Sequence, residues 1–356
     1  MSAQTSVRPD DASVSSTLRH VTIKSKKFPI VFTFMTAVLG LILALAPREG
    51  DTKFRFSAPT DFFVIPSIEV PGMQVAWVCL AVVVVMTVVS WILYLAERRT
   101  PWYAGVIFGL AFLTGFLAWG GAGSVSDLPV VRLVSASVLL AVPIVFGALG
   151  GAIGERAGVV NIAIEGQLLA SAFVAAVVGS ITKNPWAGLF AALLAGALVA
   201  LVLGLFTITY RVNQVIVGVV LNVLVLGMTS FLYVQLLTKE ADTLNRTVRF
   251  PSIAIPFISE IPIIGPALFR QSVIVYLMYI AVPLVWFAMY RTRWGLRLRA
   301  VGEHPLAADT VGIKVERTRY RSLVIAGAII GFGGAYFTLV SVIAWSIKHF
   351  VFNAIR

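Results

Sequence analysis

The sequence predicts an all-α, polytopic membrane protein with about nine transmembrane helices. Of its 356 residues, 59% are hydrophobic and only 12% are charged. Soluble domains carry about 25% charged residues, so a chain this apolar cannot cover its surface in water and must fold in lipid. The first long apolar run, Pro29–Ala46, reaches about 27 Å as a helix, which is enough to cross a bilayer.

Eight further apolar runs follow along the chain. The fifth is short, and we expect it to include residues of the polar motif before it. The predicted spans are Pro29–Ala46, Met73–Leu95, Tyr103–Trp119, Leu133–Ile153, Gln167–Ile181, Ala187–Tyr210, Ile216–Leu236, Ser272–Tyr290 and Ser322–Val342. They predict four regions, which are a disordered basic cytoplasmic tail (1–27), N-terminal transmembrane helices (28–130), a membrane core (131–342) and a short C-terminal tail (343–356).

The basic residues predict the orientation in the membrane. Arg98 and Arg99 follow the second span, and eight Lys and Arg residues lie in the loop 291–321 after the eighth. Both loops are cytoplasmic if the N-terminus is cytoplasmic, which agrees with the positive-inside rule. The net charge of +12 therefore indicates membrane orientation and contact with lipid rather than nucleic acid.

The sequence offers no pattern typical of a cofactor site, a metal site or a catalytic site. Cys79 is the one cysteine, and His20, His304 and His349 are too scattered to share a metal ion. The chain has no GxxxxGK[ST] loop, so we expect no ATPase site and no enzymatic activity in this chain itself.

Glycines recur at four-residue spacing in two of the predicted spans. This spacing keeps one helix face free of side chains, so that another backbone can approach closely. Ordinary helix packing is one interpretation, and helices that slide around a pathway are the other. The candidate packing residues are Gly147, Gly151, Gly154, Gly158, Gly327 and Gly331.

The segment GERAGVVNIAIEG, residues 154–166, places polar side chains between apolar runs. Glu155 and Arg156 are expected at the cytoplasmic boundary, where their charges reach water. Asn161 and Glu165 would share one face of a helix and need partners within the membrane. They could hold a bend, with Asn161 tying it to a neighbour and Glu165 capping backbone amides, or they could contact a polar solute. We favour the bend.

A second polar segment, YRVNQVIVGVVLN (210–222), joins two spans by a tight turn. Asn213 is expected at the membrane boundary, and Asn222 well inside an apolar helix. A buried asparagine must find a partner, most simply on another helix. Both residues are candidates either to bind helices together or to line a pathway.

The loop 291–321 contains a predicted two-turn helix near residues 304–312. Pro305 suits the first helical position and Gly312 the position past the end, while His304 is expected to be extended. Such a short helix is not stable alone, so it requires a docking surface, either on this chain or on a cytoplasmic partner.

Three segments together resemble the permease subunits of ABC importers, in the branch for simple sugars and nucleosides. This branch is related to the branched-chain amino acid permeases. The resemblance covers about residues 133–342. Its motifs are GERAGVVNIAIEGQ (154–167), YRVNQVIVGVVLN (210–222) and LRAVGEHPLAADTVGI (298–313).

The resemblance implies an importer subunit in the bacterial inner membrane. Its implied partners are a cytoplasmic ABC ATPase, a second permease that is often a different chain, and an extracytoplasmic substrate-binding protein. The family's coupling helix, which docks the ATPase, falls on Glu303, His304, Pro305, Ala307, Ala308 and Gly312.

Three alternatives remain at this point. They are an ion-coupled secondary transporter, a branched-chain amino acid permease and a membrane scaffold that transports nothing. Family members continue with further helices where this chain ends in SVIAWSIKHFVFNAIR (341–356), so we expect a truncated, frameshifted or divergent C-terminus.

Overall fold

The computed structural model describes residues 26–57, 64–98, 100–124, 126–244, 246 and 248–340. Within these residues, nine helices are long and apolar enough to cross a membrane, and α8, α9, α11 and α12 are shorter. The helices are α1 (Lys27–Leu45), α2 (Gly72–Leu95), α3 (Trp102–Gly121), α4 (Val130–Arg156), α5 (Ile164–Thr182), α6 (Pro185–Gly204), α7 (Gln214–Leu232), α8 (Ala241–Leu244), α9 (Ile264–Leu268), α10 (Val273–Arg291), α11 (Arg293–Glu303), α12 (Pro305–Thr310) and α13 (Val315–Leu339).

Local sequence explains how several of these helices begin and end. Asn184 caps α6 by accepting a hydrogen bond from the Trp186 amide, and Pro185 occupies the first helical position, where a missing N–H costs nothing. The helices α6 and α7 both continue as a turn of π-helix, over Leu205–Thr209 and Tyr233–Leu237. Wider turns of this kind occur as local irregularities in long helices.

Contacts divide the described residues into two units, of which the first runs from α1 to the strand before α4. Its three helices pack together, with Phe32 stacked on Phe108 at 3.9 Å between ring centroids. A small sheet in the order β2-β1-β3 joins their ends, and Lys53 forms a 2.6 Å ion pair with Glu69 across it. The strands are β1 (Asp51–Arg55), β2 (Ile68–Pro71) and β3 (Leu128–Pro129).

The second unit is built around α13. Over its most apolar stretch 67% of the α13 residues are buried, against 17% for α2, so α13 is a core helix and α2 lies at the surface of the chain. The helices α4, α5 and α6 surround α13. Phe146, Ile274, Tyr336 and Leu339 belong to the main apolar core.

The segment between α7 and α10 contains short structured pieces. The strands β4 (Ser252–Ala254) and β5 (Arg270–Ser272) pair antiparallel, with Ile253 opposite Gln271. The Phe250 amide donates to the Leu339 carbonyl at 2.9 Å, which ties this segment to the end of α13. The sequence analysis predicted no element between the seventh and eighth spans, because strands of so few residues give no periodic signal.

Within the described residues, all nine predicted spans fall on helices, which confirms the all-α polytopic class. The fifth helix begins at Ile164, inside the polar motif as expected. The loop 291–321 differs from the prediction, because α11, α12 and the first turns of α13 make most of it helical. The predicted tail at 343–356 and most of the tail at 1–27 lie outside the described residues.

Candidate functional site

Buried polar groups of the second unit meet where the chain leaves α4, over residues 157–163. Gly158 has a φ of 78°, which glycine adopts without steric cost. Its amide donates to the Glu155 carbonyl at 2.9 Å, and the Val159 amide donates to the Gly154 carbonyl at 3.0 Å. This pair of bonds is a Schellman motif, which satisfies the last carbonyls of α4 and turns the chain away.

Asn161 holds the start of α5. Its side chain is 6% exposed, and its Oδ1 accepts a hydrogen bond from the Ala163 amide at 3.1 Å. Its Nδ2 donates to Oε1 of Gln167, a fully buried residue one turn into α5, at 3.0 Å. Asn161 is therefore not on a helix face, and it braces the bend against α5.

Asn222 of α7 ties the same bend to a second helix. Its Nδ2 donates to the Ile162 carbonyl at 2.9 Å, and its Oδ1 accepts from the Gly166 amide at 2.7 Å. At Gly218 a Cβ would lie only 2.7 Å from Cβ of Ile162, so glycine lets α7 approach the bend. Asn222 thus uses both the nitrogen and the oxygen of its side-chain amide on backbone groups at the start of α5. Neither α5 nor α7 satisfies these groups internally.

Gln214, at the start of α7, holds the middle of the bend. Its Oε1 accepts from the Val160 amide at 2.7 Å, and its Nε2 lies 3.4 Å from the Gly158 carbonyl oxygen. Asn213 is exposed and instead caps α7, accepting from the Val215 amide at 2.9 Å. The two neighbouring amides therefore have different roles, one in the bend and one in the helix end.

The helix α11 and the start of α13 also contact the bend. Arg319 of α13 donates from Nε to the Ala157 carbonyl at 3.2 Å. Gly302 of α11 lies so close that a Cβ there would be 2.3 Å from the Arg156 carbonyl oxygen and 3.2 Å from the Gly158 nitrogen. The end of α11 and the start of α13 therefore both touch the point where α4 stops.

Glu165 has a different environment from Asn161. It is exposed in the first turn of α5, where a negative charge suits the helix dipole, and the N-cap residue Ala163 makes no side-chain cap. Deeper in α5, Gln167 Nε2 and Ser171 Oγ are buried without a hydrogen-bond partner. In the described part of the chain, no three His, Cys, Asp or Glu side chains converge on a possible metal site.

Two of the predicted packing glycines, Gly327 and Gly331, line a seam between α13 and α6. A Cβ at Gly327 would lie 2.4 Å from the Gly196 carbonyl oxygen, and one at Gly331 would lie 2.6 Å from that of Ala192. Backbone thus packs on backbone along two turns of each helix, as small residues allow in membrane proteins.

The predicted packing glycines of α4 do not share one role. A Cβ at Gly150 would lie 2.8 Å from the Ala326 carbonyl oxygen, so this glycine permits the approach of α13. At Gly147 and Gly151 the nearest neighbour is the Ile164 side chain, 3.2 Å away in each case. These two positions face the start of α5 and leave room for one isoleucine.

Gly154 and Gly158 serve the bend rather than an interhelical face. A Cβ at Gly154 would lie 3.0 Å from the Val159 carbonyl oxygen, where the chain turns back over the helix end. Four-residue spacing predicted that Gly158 lies on a packing face of α4. This prediction is corrected, because Gly158 lies beyond the last residue of α4 and ends the helix.

The predicted two-turn helix is present as α12. His304 before it is extended, with φ −139° and ψ 80°. Gly312 has a φ of 82°, its amide donates to the Asp309 carbonyl at 2.9 Å, and the Ile313 amide donates to the Ala308 carbonyl at 3.0 Å. The end of α12 is therefore a second Schellman motif.

Two large apolar side chains are exposed on and just after α12. Leu306 is 84% exposed and Val311 is 74% exposed, and Glu303 and Ala307 are also exposed. Ala308 is 3% exposed and packs inward. Of the predicted docking residues, Ala308 is therefore a support of the helix, and Leu306 and Val311 are surface residues that the sequence analysis did not select.

Three further residues of the bend were not predicted as site residues. Gln167 and Gln214 lie in the quoted motifs, and an amide beside a predicted break is a signal that could have found them. Arg319 looked like one more basic residue of a cytoplasmic loop. Its contact with Ala157 lies 162 positions away in sequence and leaves no local pattern.

Comparisons with known proteins agree on one family. The family model described as "Branched-chain amino acid transport system / permease component" matches residues 133–355. The guanosine ABC transporter permease protein NupQ of Bacillus subtilis is 37% identical over 224 residues, which are 61% of this chain and 69% of that relative. The nucleoside ABC transporter permease protein NupC of Lactococcus lactis is 32% identical over 217 residues, 58% of this chain and 67% of the relative.

A third relative carries a different solute in its name. TsgC13 of Haloferax volcanii, named as a glucose ABC transporter permease, is 38% identical over 210 residues. These residues are 58% of this chain and 62% of that relative, so the chain spans less than two thirds of its length. No solved structure matches the chain.

Proposed function

The chain belongs to the family of branched-chain amino acid transport permease components, and on this premise we propose that it is the transmembrane subunit of an ATP-driven importer for nucleosides or simple sugars. The observation that carries the proposal is the 37% identity to a relative named as a guanosine permease. A relative named as a branched-chain amino acid permease, LivH of Methanocaldococcus jannaschii, matches over only 67 residues. The long matches therefore favour nucleosides and sugars over amino acids.

Uptake by cells that express the chain with its candidate ATPase, second permease and binding protein tests the solute class. We expect saturable uptake of labelled guanosine or glucose that excess unlabelled solute of the same class suppresses. Leucine should neither be taken up nor compete. Uptake of leucine instead would overturn the proposed solute class while leaving the family membership intact.

The energy source separates this proposal from an ion-coupled transporter. Depletion of cellular ATP should abolish uptake, and dissipation of the ion gradients at constant ATP should leave it in place. The reverse pattern would favour the secondary transporter, whose sites also use broken helices with polar turns.

The short helix α12 is the proposed docking element for the ATPase. A two-turn helix is marginal in water, yet α12 presents Leu306 and Val311 to solvent rather than burying them. Ala308 and the Schellman motif at Gly312 fix the helix on its inner side. An apolar tip on a supported helix is suited to insertion into a groove of a partner protein.

Charged substitutions on the tip test this docking role. We expect L306E and V311E to weaken copurification of the ATPase by about 30-fold, the effect of losing a buried apolar anchor worth about 2 kcal/mol. Ala308 is unsuited to the test because its inward side would not tolerate a charge. The control is I253E, which changes an exposed isoleucine in β4. This strand precedes the N-terminal end of α10 in sequence, whereas α12 follows its C-terminal end. Unchanged association in L306E and V311E, or an equal loss in I253E, would contradict the docking role.

The proposed route from α12 to the membrane runs through the bend at 157–163. Gly302 is next to the start of α12 and touches the backbone at Arg156 and Gly158, and Arg319 holds the Ala157 carbonyl. We assign Asn161 and Asn222 to bracing this bend. Glu165, exposed and without a cap contact, is the candidate for solute contact.

A second permease chain and an extracytoplasmic binding protein complete the proposed assembly in a bacterial membrane, with α11, α12 and the N-terminus on the cytoplasmic side. The arginines around α11 support this orientation. A single cysteine at exposed Thr310, in a C79S background, should react with an impermeant maleimide only after intact cells are opened. Reaction in intact cells would reverse the topology.

A further inference from the structure

Three arginines converge on two aromatic rings at the last turn of α10. The guanidinium carbon of Arg291 lies 5.9 Å from the Trp286 ring centroid. Those of Arg156 and Arg299 lie 5.9 Å and 5.5 Å from the Tyr290 ring. These distances are within the range of cation–π attraction, so the rings hold the cations in place.

The three contacts form one continuous cluster. The Trp286 and Tyr290 rings are neighbours, with centroids 6.4 Å apart. Nη2 of Arg156 also lies 3.4 Å from the Tyr290 hydroxyl oxygen. The arginines come from three elements, namely the end of α4, the end of α10 and the middle of α11.

Within the described residues, no close carboxylate balances the positive charge of this cluster. Glu155 adjoins Arg156 and Glu303 lies one turn beyond Arg299, yet in the described part of the chain no carboxylate lies within 4 Å of these guanidinium groups. Nε of Arg299 is buried and donates to no acceptor. Like charges held together repel, so the arrangement favours an anion among them.

The cluster adjoins an apolar surface of a membrane-spanning helix. Trp286 is 53% exposed, Phe287 56% and Tyr290 41%. Spacings of three and four residues place them on one face of α10. Trp and Tyr side chains at a helix end mark the level of lipid headgroups, and arginines just beyond them reach the phosphate layer.

We propose that Arg156, Arg291 and Arg299 bind the phosphate of an anionic phospholipid, whose acyl chain lies along Trp286 and Phe287. Guanidinium groups bind phosphate oxygens through pairs of N–H donors, and the aromatic face supplies apolar contact. A free phosphate would use the arginines but not this face. An acidic protein segment would leave two exposed aromatic side chains in lipid. The inference does not depend on the transported solute or on the coupling role of α12.

Lipid binding to the purified full-length chain tests the site. The delipidated protein in detergent is titrated with dioleoyl-phosphatidylglycerol, with dioleoyl-phosphatidylcholine and with inorganic phosphate, and bound lipid is counted by native mass spectrometry. The test variant is R156Q/R299Q. The matched control is R293Q/R297Q, which removes two exposed arginines of α11 that contact neither ring.

We expect R156Q/R299Q to weaken phosphatidylglycerol binding by about 25-fold, since each basic residue at the membrane surface contributes about fivefold. R293Q/R297Q should change it by about twofold or less, because neither of these arginines is held against the Trp286 or Tyr290 ring. The parent should bind phosphatidylcholine more weakly than phosphatidylglycerol. Neither R156Q/R299Q nor R293Q/R297Q should change phosphatidylcholine binding.

Four outcomes would overturn the proposal. The first is an equal loss of phosphatidylglycerol binding in R156Q/R299Q and R293Q/R297Q, and the second is equal binding of the two lipids by the parent. The third is displacement of phosphatidylglycerol by millimolar phosphate. The fourth is a loss of ATPase association in R156Q/R299Q while its lipid binding is unchanged. If R156Q/R299Q does not elute as folded protein, R299K decides instead. It keeps the charge but loses the planar paired donors, so we expect about twofold weaker binding, less than the loss of a whole charge, and unchanged binding would overturn the site.

Discussion

Two helices of the second unit end in the same local structure but in opposite surroundings. Both α4 and α12 end in a Schellman motif around a glycine of positive φ, 78° at Gly158 and 82° at Gly312. A Cβ at Gly158 would lie 3.2 Å from Nη2 of Arg319 and 3.3 Å from Cα of Gly302. A Cβ at Gly312 would have no neighbour within 4 Å. One end is enclosed by other helices, and the other is open.

The difference lies in what satisfies the backbone beyond the glycine. After Gly158, Gln214 and Asn222 of α7 satisfy the backbone, and just before it Arg319 of α13 donates to the Ala157 carbonyl. After Gly312, water is available to do so. Where backbone polar groups are buried, distant side chains must replace water, and the joint becomes fixed. The buried end is therefore a rigid joint, and the exposed one is free to engage a partner.

The largest expected effect comes from removing a side chain that satisfies the buried joint. N222A strands the Gly166 amide and the Ile162 carbonyl, and we expect a loss of about 3 kcal/mol in stability. N213A removes an exposed helix cap and should cost about 1 kcal/mol. Thermal unfolding of the detergent-solubilised chain, followed by size-exclusion chromatography, measures both. Equal shifts would mean that Asn222 is no more than a local cap.

The two glycines themselves give the next effect. Alanine in the left-handed region costs about 1 kcal/mol, so G312A should lower stability by about this amount. G158A adds crowding against Arg319 and Gly302, for a total of about 2 kcal/mol. The comparison uses one substitution in one backbone conformation, so the difference reports packing alone. If G312A lowered the unfolding temperature as much as G158A, the open end would not be free of contacts.

The sequence predicted the nine long helices because each one is an apolar run that only a helix can satisfy in lipid. It predicted α12 from Pro305 and Gly312, two residues whose backbone preferences act locally. It did not predict α11. The residues of α11 alternate arginines with apolar side chains that pack on α4, α10 and α13, so its stability depends on tertiary contacts rather than on its own composition.

The bend was predicted only in part, for a related reason. Asn161 and Asn222 stood out because polar side chains in apolar segments require partners. Their partners are three backbone groups and the Gln167 side chain, 2 to 60 positions away, and nothing in the sequence selects among them. Glu165 stood out equally, yet it is exposed and caps no amide, because the bend places Asn161 and Glu165 on different surfaces.

The smallest expected effect on stability comes from the contact that α13 makes with the buried joint. R319M keeps the length of the side chain but removes the donor to the Ala157 carbonyl, so we expect a loss of about 1 kcal/mol. R317M removes an exposed arginine two residues earlier in α13 and should change stability by less than about 0.5 kcal/mol. The same thermal assay compares them. If R319M matched R317M, the Ala157 carbonyl would not need the guanidinium, and the joint would depend on α7 and Gly302 alone.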